Sequence, residues 1–502
     1  MKYTSTRDAS VAIDSAQAIV NGLSPDGGLY VPQSFPGLSR ADFDELCGMD
    51  YPERAAKVMS LYLTDFTYEE LLSYTRKAYA RFYGDPCPLV GVDEGLYVLE
   101  LWHGPTCAFK DMALTMLPHL LTAARRKVGE KDKSLIMVAT SGDTGKAALE
   151  GFRDVEGTDI IVFYPTGGVS DMQKRQMMTQ EGENVCVCAI EGNFDDTQSA
   201  VKNIFADKDM GAKLHERGFK LCSANSINWG RLVPQIAYYI SAYCDLLNEG
   251  KVEFGDKVDF CVPSGNFGNI LAAYYAMKMG LPVNKLICAS NVNNVLTDFF
   301  TTGKYDIERE FHKTISPSMD ILISSNLERL LFEISDRNAS LIAERMDALK
   351  KKGSYSVTKA ELNRMRALFE VGYADDDATK NAIDAAMDLY GYLMDTHTAV
   401  AYNVWCEYNN ACPEDECPAI IVSTANAFKF SGDVLTALTG GRKDADAFED
   451  CKKLSAFSGA EIPEPIAALK DKKIRFDEVI DKAAIAGKVL EFADVLAAKD
   501  KA

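Results

Sequence analysis

"SLIMVATSGDTGKAA", Ser134–Ala148, decides how the fold is read. An unbroken apolar run ends in Thr140-Ser141-Gly142-Asp143-Thr144, and a helix opens near Gly142. A strand exposed on one face alternates apolar and polar residues. A continuous run instead marks a strand covered on both faces, as in a parallel sheet. The unit then recurs down the chain. "DIIVFYP" (159–165) reads as a strand and "SDMQKRQMMTQEG" (170–182) as a helix with Gly182 as its C-cap. "NVCVCAI" (184–190) is a strand, and "FDDTQSAVKNIFADKD" (194–209) and "RLVPQIAYYISAYCDLL" (231–247) are helices. "KVDFCVPS", "FGNILAAYYAMKMG" and "KLICAS" continue the alternation to Ser290. Alternating strands and helices build βαβ units, so the expected class is α/β: two αβα layered domains with mainly parallel sheets. Ligands of such sheets bind in loops at the carboxyl ends of strands.

Residues 1–95 have shorter helices and turns such as "SPDGG" and are expected to form an N-terminal domain. Residues 96–440 form the two α/β lobes, with a charged, mostly helical insertion at about 300–395 that includes "SNLERLLFEISDRNASLIAERMDALKKK". The sheet pattern returns at "CPAIIVSTANAFKF", and 441–502 reads as a helical tail. The chain has 502 residues and a net charge of −19, which disfavours nucleic acid and anionic membranes as partners. The opening stretch "MKYTSTRDASVAIDSAQAIV" has no signal-peptide core, and no apolar run reaches membrane-spanning length, so a cytoplasmic protein is expected. The 13 cysteines are scattered through apolar stretches, as reduced thiols are, and none has the spacing of a zinc site, so no metal is expected.

Three strand-to-loop junctions can carry chemistry. In "VATSGDTGKAA" small residues, hydroxyls and a helix N-terminus can receive a carboxylate or phosphate, although Ser141, Asp143 and Thr144 are also ordinary cap residues. "VPSGNFGN" brackets Asn266 and Phe267 between Gly265 and Gly268, as a phosphate cradle or a tight turn does. "VSTANAFKF" ends a strand in Ser423-Thr424, alone no more than a helix cap. A fourth stretch, "HGPTCAFKD" (103–111), places Lys110 after a turn in apolar surroundings. A buried lysine loses basicity and becomes a nucleophile able to form a Schiff base. A pyridoxal phosphate cofactor would also need a phosphate cradle and a partner for its ring nitrogen, which the last two loops can supply.

Together "LWHGPTCAFKD", "ATSGDTGKAA", "CSANSINWGRL", "VPSGNFGN" and "DTHTAVAY" resemble the threonine synthase family, pyridoxal-phosphate enzymes of the tryptophan-synthase β-like fold, fold type II. "NGLSPDGGLYVP" resembles its N-terminal segment, and the likeness runs to about residue 435. The resemblance implies a carbon–oxygen lyase that turns O-phospho-L-homoserine and water into L-threonine and phosphate. It implies Lys110 as the Schiff-base lysine, Gly265, Asn266, Phe267, Gly268 and Asn269 as the cofactor-phosphate cup, and Thr424 as the hydroxyl facing the ring nitrogen. Ser141, Gly142, Asp143 and Thr144 would grip the substrate carboxylate, and Ser226, Asn228 and Arg231 would lie near the substrate phosphate. Lys174 and Arg175 are further candidates for that phosphate, with a solvated helix face as the alternative. The expected partner is the small-molecule substrate, and the chain is a monomer or homodimer. The family's cup often ends in Asp where this chain has Asn269, and its Ala-His-Pro is here Ala425-Asn426-Ala427. His103 and His397 read as structural histidines, and "YYISAY" (238–243) as helix core. Two rivals stay open: a threonine or serine dehydratase of the same fold, and a catalytically silent ligand-binding relative.

Overall fold

A computed structural model describes residues 1–499 except Ser141, Gly168, Asn193, Arg442 and Ala445. In the smaller sheet Phe219–Cys222, Lys133–Ala139, Thr158–Pro165 and Val185–Ile190 run in that order, all parallel. Thr158–Pro165 and Val185–Ile190 are buried at every position, which accounts for their uninterrupted apolar sequences. The larger sheet is assembled from distant pieces. Its order is Phe369–Tyr373, Val283–Ser290, Val258–Pro263, Ala419–Ser423, Leu96–Glu100, Leu89–Asp93. Every pair is parallel except the last, an antiparallel hairpin. The architecture is thus mixed α/β with mainly parallel sheets and an N-terminal region.

This strand order is what positions the site. Leu96–Glu100, Ala419–Ser423 and Val258–Pro263 are successive parallel neighbours. The stretches that follow them, ending in Lys110, Thr424 and the Gly265–Asn269 loop, therefore leave the sheet at one edge. The fourth junction leaves Lys133–Ala139 of the other sheet. The helix Trp229–Asn248 joins the two lobes, and its burial on nearly all sides matches its apolar sequence.

The N-terminal region pairs Tyr3–Ser5 with Tyr30–Pro32 and adds helices started by capping boxes at Ser39, Asp50 and Thr67. Tyr3 and Tyr62 pack edge-on against Trp229 of the joining helix, so this region shares the main core. The expected boundary at 95 falls inside the hairpin Leu89–Asp93/Leu96–Glu100. The 300–395 segment holds the helices Leu327–Ile334, Ala339–Lys352, Lys359–Leu368 and Asp376–Tyr390. It also supplies the edge strand Phe369–Tyr373, whose mostly half-exposed residues hide it among charged neighbours. The tail is more than helix: Val479–Ile480 extends the smaller sheet beside Val185–Ile190. The helix Ile485–Lys499 buries Ile485, Val489, Phe492 and Leu496 against that lobe.

Candidate active site

Lys110 begins the short helix Lys110–Leu114. The turn before it is held by its neighbour Asp111, which is buried and accepts from Thr106 N (2.8 Å) and Thr106 Oγ1 (2.6 Å). Gly104 is required here, because a Cβ would come within 2.5 Å of the Asp111 side chain. The same segment is laced to the third junction. Leu101 N donates to Ser423 O, Phe109 N to Thr424 O (2.8 Å) and Asn426 N to Cys107 O, with a bridge between Ala108 and Ala425. Thr424 is thereby fixed beside the residue preceding Lys110.

The Lys110 amine lies 3.5 Å from Ser318 Oγ, 3.8 Å from Asp143 Oδ2 and 4.9 Å from the centre of the Phe109 ring. Burial pulls it down to about 8, with Asp143 opposing and Lys429 and Arg231 assisting. Asp143, at the first turn of the helix Asp143–Phe152, ion-pairs with Lys429 at 2.8 Å and accepts from Gln173 Nε2 at 2.9 Å. Burial disfavours its charge, but Lys429 and Lys110 outweigh burial and hold the carboxyl well below the usual range. Gly142 is where Gln173 approaches: a Cβ would meet that amide at 2.5 Å. Arg231 is buried and donates to Ala224 O at 2.9 Å. Burial alone brings its guanidinium down to about 10. Among the described residues no carboxylate forms a salt bridge with it. Lys110 and Lys429 thus flank Asp143, and Arg231 lies near enough to Lys110 to lower its basicity, so cationic groups outnumber the carboxylate, as suits an anionic ligand.

Basicity alone does not single out Lys110. Burial takes Lys146 lower still, to about 7. Its amine, however, is engaged by Gln180 Oε1 (2.5 Å) and Glu150 Oε2 (3.2 Å), both away from the junctions. Geometry therefore selects Lys110.

The loop Gly265–Asn269 runs into the N-terminus of the helix Gly268–Lys278, with Phe267 in the left-handed region at φ 63°. Its glycines are crowded by the segment 318–326. A Cβ on Gly265 would lie 3.2 Å from Ser318 O and 3.3 Å from Met319 Cα, and one on Gly268 would lie 3.2 Å from Asn326 Nδ2. Ser324 Oγ donates to Gly265 O and Asn326 N to Asn266 O, so this segment fastens the loop. Asn269 Oδ1 accepts from the hydroxyls of Tyr238 (2.5 Å) and Tyr239 (2.6 Å). The "YYISAY" tyrosines are helix core, as read, and two of them also brace the loop. The Nδ2 atoms of Asn269 and Asn326 are buried without a partner.

Other expected residues are placed differently. Ser141 lies outside the described residues, and Thr144 is half-buried beside Asp143. The Asn228 side chain is occupied: it caps the joining helix at Gly230 N and donates to Ile19 O. Ser226 Oγ bonds Asn225 Oδ1 next to it. Arg175 donates to the carbonyls of Leu469, Lys470 and Lys472, so it tethers the tail. His103 stacks on Trp102 and pairs with Glu100. Sequence reading missed Lys429, Gln173 and Ser318. Lys429 alone left a signal, an isolated lysine between aromatic residues in "FKF" that echoes "FKD".

Comparison with known proteins identifies the family. Residues 2–79 match the family model described as threonine synthase N terminus, and residues 86–423 match pyridoxal-phosphate dependent enzyme. Threonine synthase of Pseudomonas aeruginosa is 39% identical over 434 residues, covering 86% of this chain and 89% of that protein. The chain belongs to the threonine synthase family. Human threonine synthase-like 1 is 40% identical over 435 residues, 84% of this chain, but the chain spans only 58% of that longer protein. The crystal structure of pyridoxal-phosphate-bound threonine synthase from Brucella melitensis superposes with a TM-score of 0.86 at 35% identity, covering 98% of this chain and 99% of that one. The family's cofactor, pyridoxal phosphate, fits the residues present. A glycine loop at a helix N-terminus with two orphaned amide donors suits its phosphate, and a buried amine of lowered basicity suits its aldehyde.

Proposed function

We propose that the chain is a threonine synthase converting O-phospho-L-homoserine and water to L-threonine and phosphate. The observation that carries this reading is the buried Arg231 guanidinium, which forms no salt bridge among the described residues and acts electrostatically on Lys110, itself beside the Asp143–Lys429 pair. A phosphorylated substrate brings the anionic charge that these groups lack. When bound through Lys110, pyridoxal phosphate supplies an electron sink for charge developing on substrate carbon. Gly265–Asn269 would cradle the cofactor phosphate, and Thr424 would offer the ring nitrogen a neutral hydroxyl in place of a carboxylate. Lys110, once released, is the base that carries protons between substrate carbons. An amine of pKa about 8 is about one-tenth unprotonated at pH 7, so it can both take and return a proton. Asp143 keeps the amine in place, and the backbone at Gly142–Thr144 receives the substrate carboxylate at a helix N-terminus. Arg231 holds the phosphate that leaves from Cγ, and water then adds at Cβ. The thirteen free thiols support a reducing, cytoplasmic setting.

The test is incubation of the holoenzyme with O-phospho-L-homoserine and, separately, with L-threonine. Equimolar threonine and phosphate from the first, with no 2-oxobutanoate from the second, is the expected result. Release of 2-oxobutanoate from threonine without threonine synthesis would favour the dehydratase and overturn the proposal.

A further inference from the structure

The segment over the Gly265 loop carries a hydroxyl that neither the family resemblance nor the roles above account for. Ser318 lies in the turn Pro317–Met319, and its Oγ is 3.5 Å from Lys110 Nζ and 3.4 Å from Asp143 Oδ2. It therefore bridges the amine to the carboxylate where the direct separation is 3.8 Å. A carboxylate can only accept from the amine. A hydroxyl can accept from the ammonium and can donate to the lone pair of the neutral amine, so it partners both states that a proton-carrying lysine passes through.

The backbone of this serine is fixed by a buried pair. Ser318 N–H donates to His397 Nε2 at 3.1 Å, which requires that nitrogen to be unprotonated. His397 Nδ1 then carries the hydrogen and donates it to Asp395 Oδ2 at 2.7 Å. Asp395 is locked in turn by the N–H groups of His397 and Thr398 and by the Thr398 hydroxyl. From the other side, Asp320 holds the loop by accepting from Thr314, Asn291 and Asn293. A surface turn with an incidental serine needs no such double anchorage.

We propose that Ser318 is a further catalytic residue, whose hydroxyl orients the Lys110 amine for proton transfer, and that Asp395 and His397 are positioning residues that seat it. The role of Ser318 in turnover rests on the threonine synthase reading, but its effect on Lys110 does not.

The experiment compares wild type, Ser318→Ala, Ser318→Thr and His397→Gln as holoenzymes. It measures kcat, KM and the pH midpoint of the visible Schiff-base band. Ser318→Ala is expected to lower kcat about 10- to 100-fold with KM within about threefold, and to move the band midpoint. Ser318→Thr, which keeps the hydroxyl, should restore most of both. His397→Gln should reproduce the Ala phenotype and add little to it in the double variant. The proposal is overturned if Ser318→Ala leaves kcat and midpoint as in wild type, or if Thr is no better than Ala. If wild type makes no threonine yet the midpoint still moves in Ala and not in Thr, the reaction is wrong and the role of Ser318 at Lys110 stands.

Discussion

Replacing Asp143 with Asn should make Lys110 a weaker base, because it removes an anion that stabilises the Lys110 ammonium. Asp143 Oδ2 is 3.8 Å from the Lys110 amine. At an effective dielectric constant of about 20, two unit charges at that distance interact by about 4 kcal/mol. At 1.36 kcal/mol for each tenfold change, this bounds the effect at about a thousandfold in the proton affinity of the amine. The actual effect is smaller, because Lys429 sits 2.8 Å from the other carboxylate oxygen and already offsets much of the charge. Removing the carboxylate also leaves the Lys429 ammonium unpaired, which pushes the same way. An expected fall of tenfold or more follows. The amine titrates at about 8 in the intact protein, below the ordinary lysine value, so it is protonated below that pH and free above it. The assay is the rate at which the visible band returns when pyridoxal phosphate is added to apo-protein, measured across pH. Wild type should show a midpoint near 8, and Asp143→Asn a midpoint at least one pH unit lower. An unchanged or higher midpoint would refute the electrostatic account of Lys110.

Three further outcomes follow from the same geometry. Lys429→Met leaves Asp143 buried without its main partner, and should cost about 3–5 kcal/mol, read as a lower thermal midpoint. Adding Asp143→Asn should recover part of that loss. Gly265→Ala sets a Cβ 3.2 Å from Ser318 O and 3.3 Å from Met319 Cα, and should raise the pyridoxal phosphate dissociation constant about tenfold or more in a fluorescence titration. Arg231→Met should lower kcat/KM for O-phospho-L-homoserine about 100-fold in a phosphate-release assay while the visible band persists.

Much of this site was legible because its parts sit where apolar strands stop. A run such as "LIMVA" or "DFCVP" announces a buried strand, and in a parallel sheet the loop after it points to the binding edge. That logic singled out the loops holding Asp143, Gly265–Asn269 and Thr424 without any knowledge of strand order, and the family resemblance tied Lys110 to them. It could not show that Val258–Pro263 lies beside Ala419–Ser423, since that pairing joins strands more than a hundred residues apart. Residues that act through such long-range closure were lost with it. Gln173 carries no motif signal in its helix, yet its amide meets Asp143. Ser318 lay in a stretch expected to be helical insertion, where a three-residue turn leaves no periodic signal. Asn228 and Arg175 show the opposite limit, since motif position says nothing about the hydrogen bonds a side chain already makes. Lys146 shows the limit of electrostatics used alone: it is the less basic lysine, held in the wrong place.

The central claim is that Lys110, among the buried lysines, is the one that bonds the cofactor. Borohydride reduction of the holoenzyme followed by peptide mass mapping tests it directly. The account predicts one phosphopyridoxyl adduct, on the peptide containing Lys110, and no label on Lys146 or Lys429. A stoichiometric adduct on either of those two, with Lys110 unmodified, would contradict it.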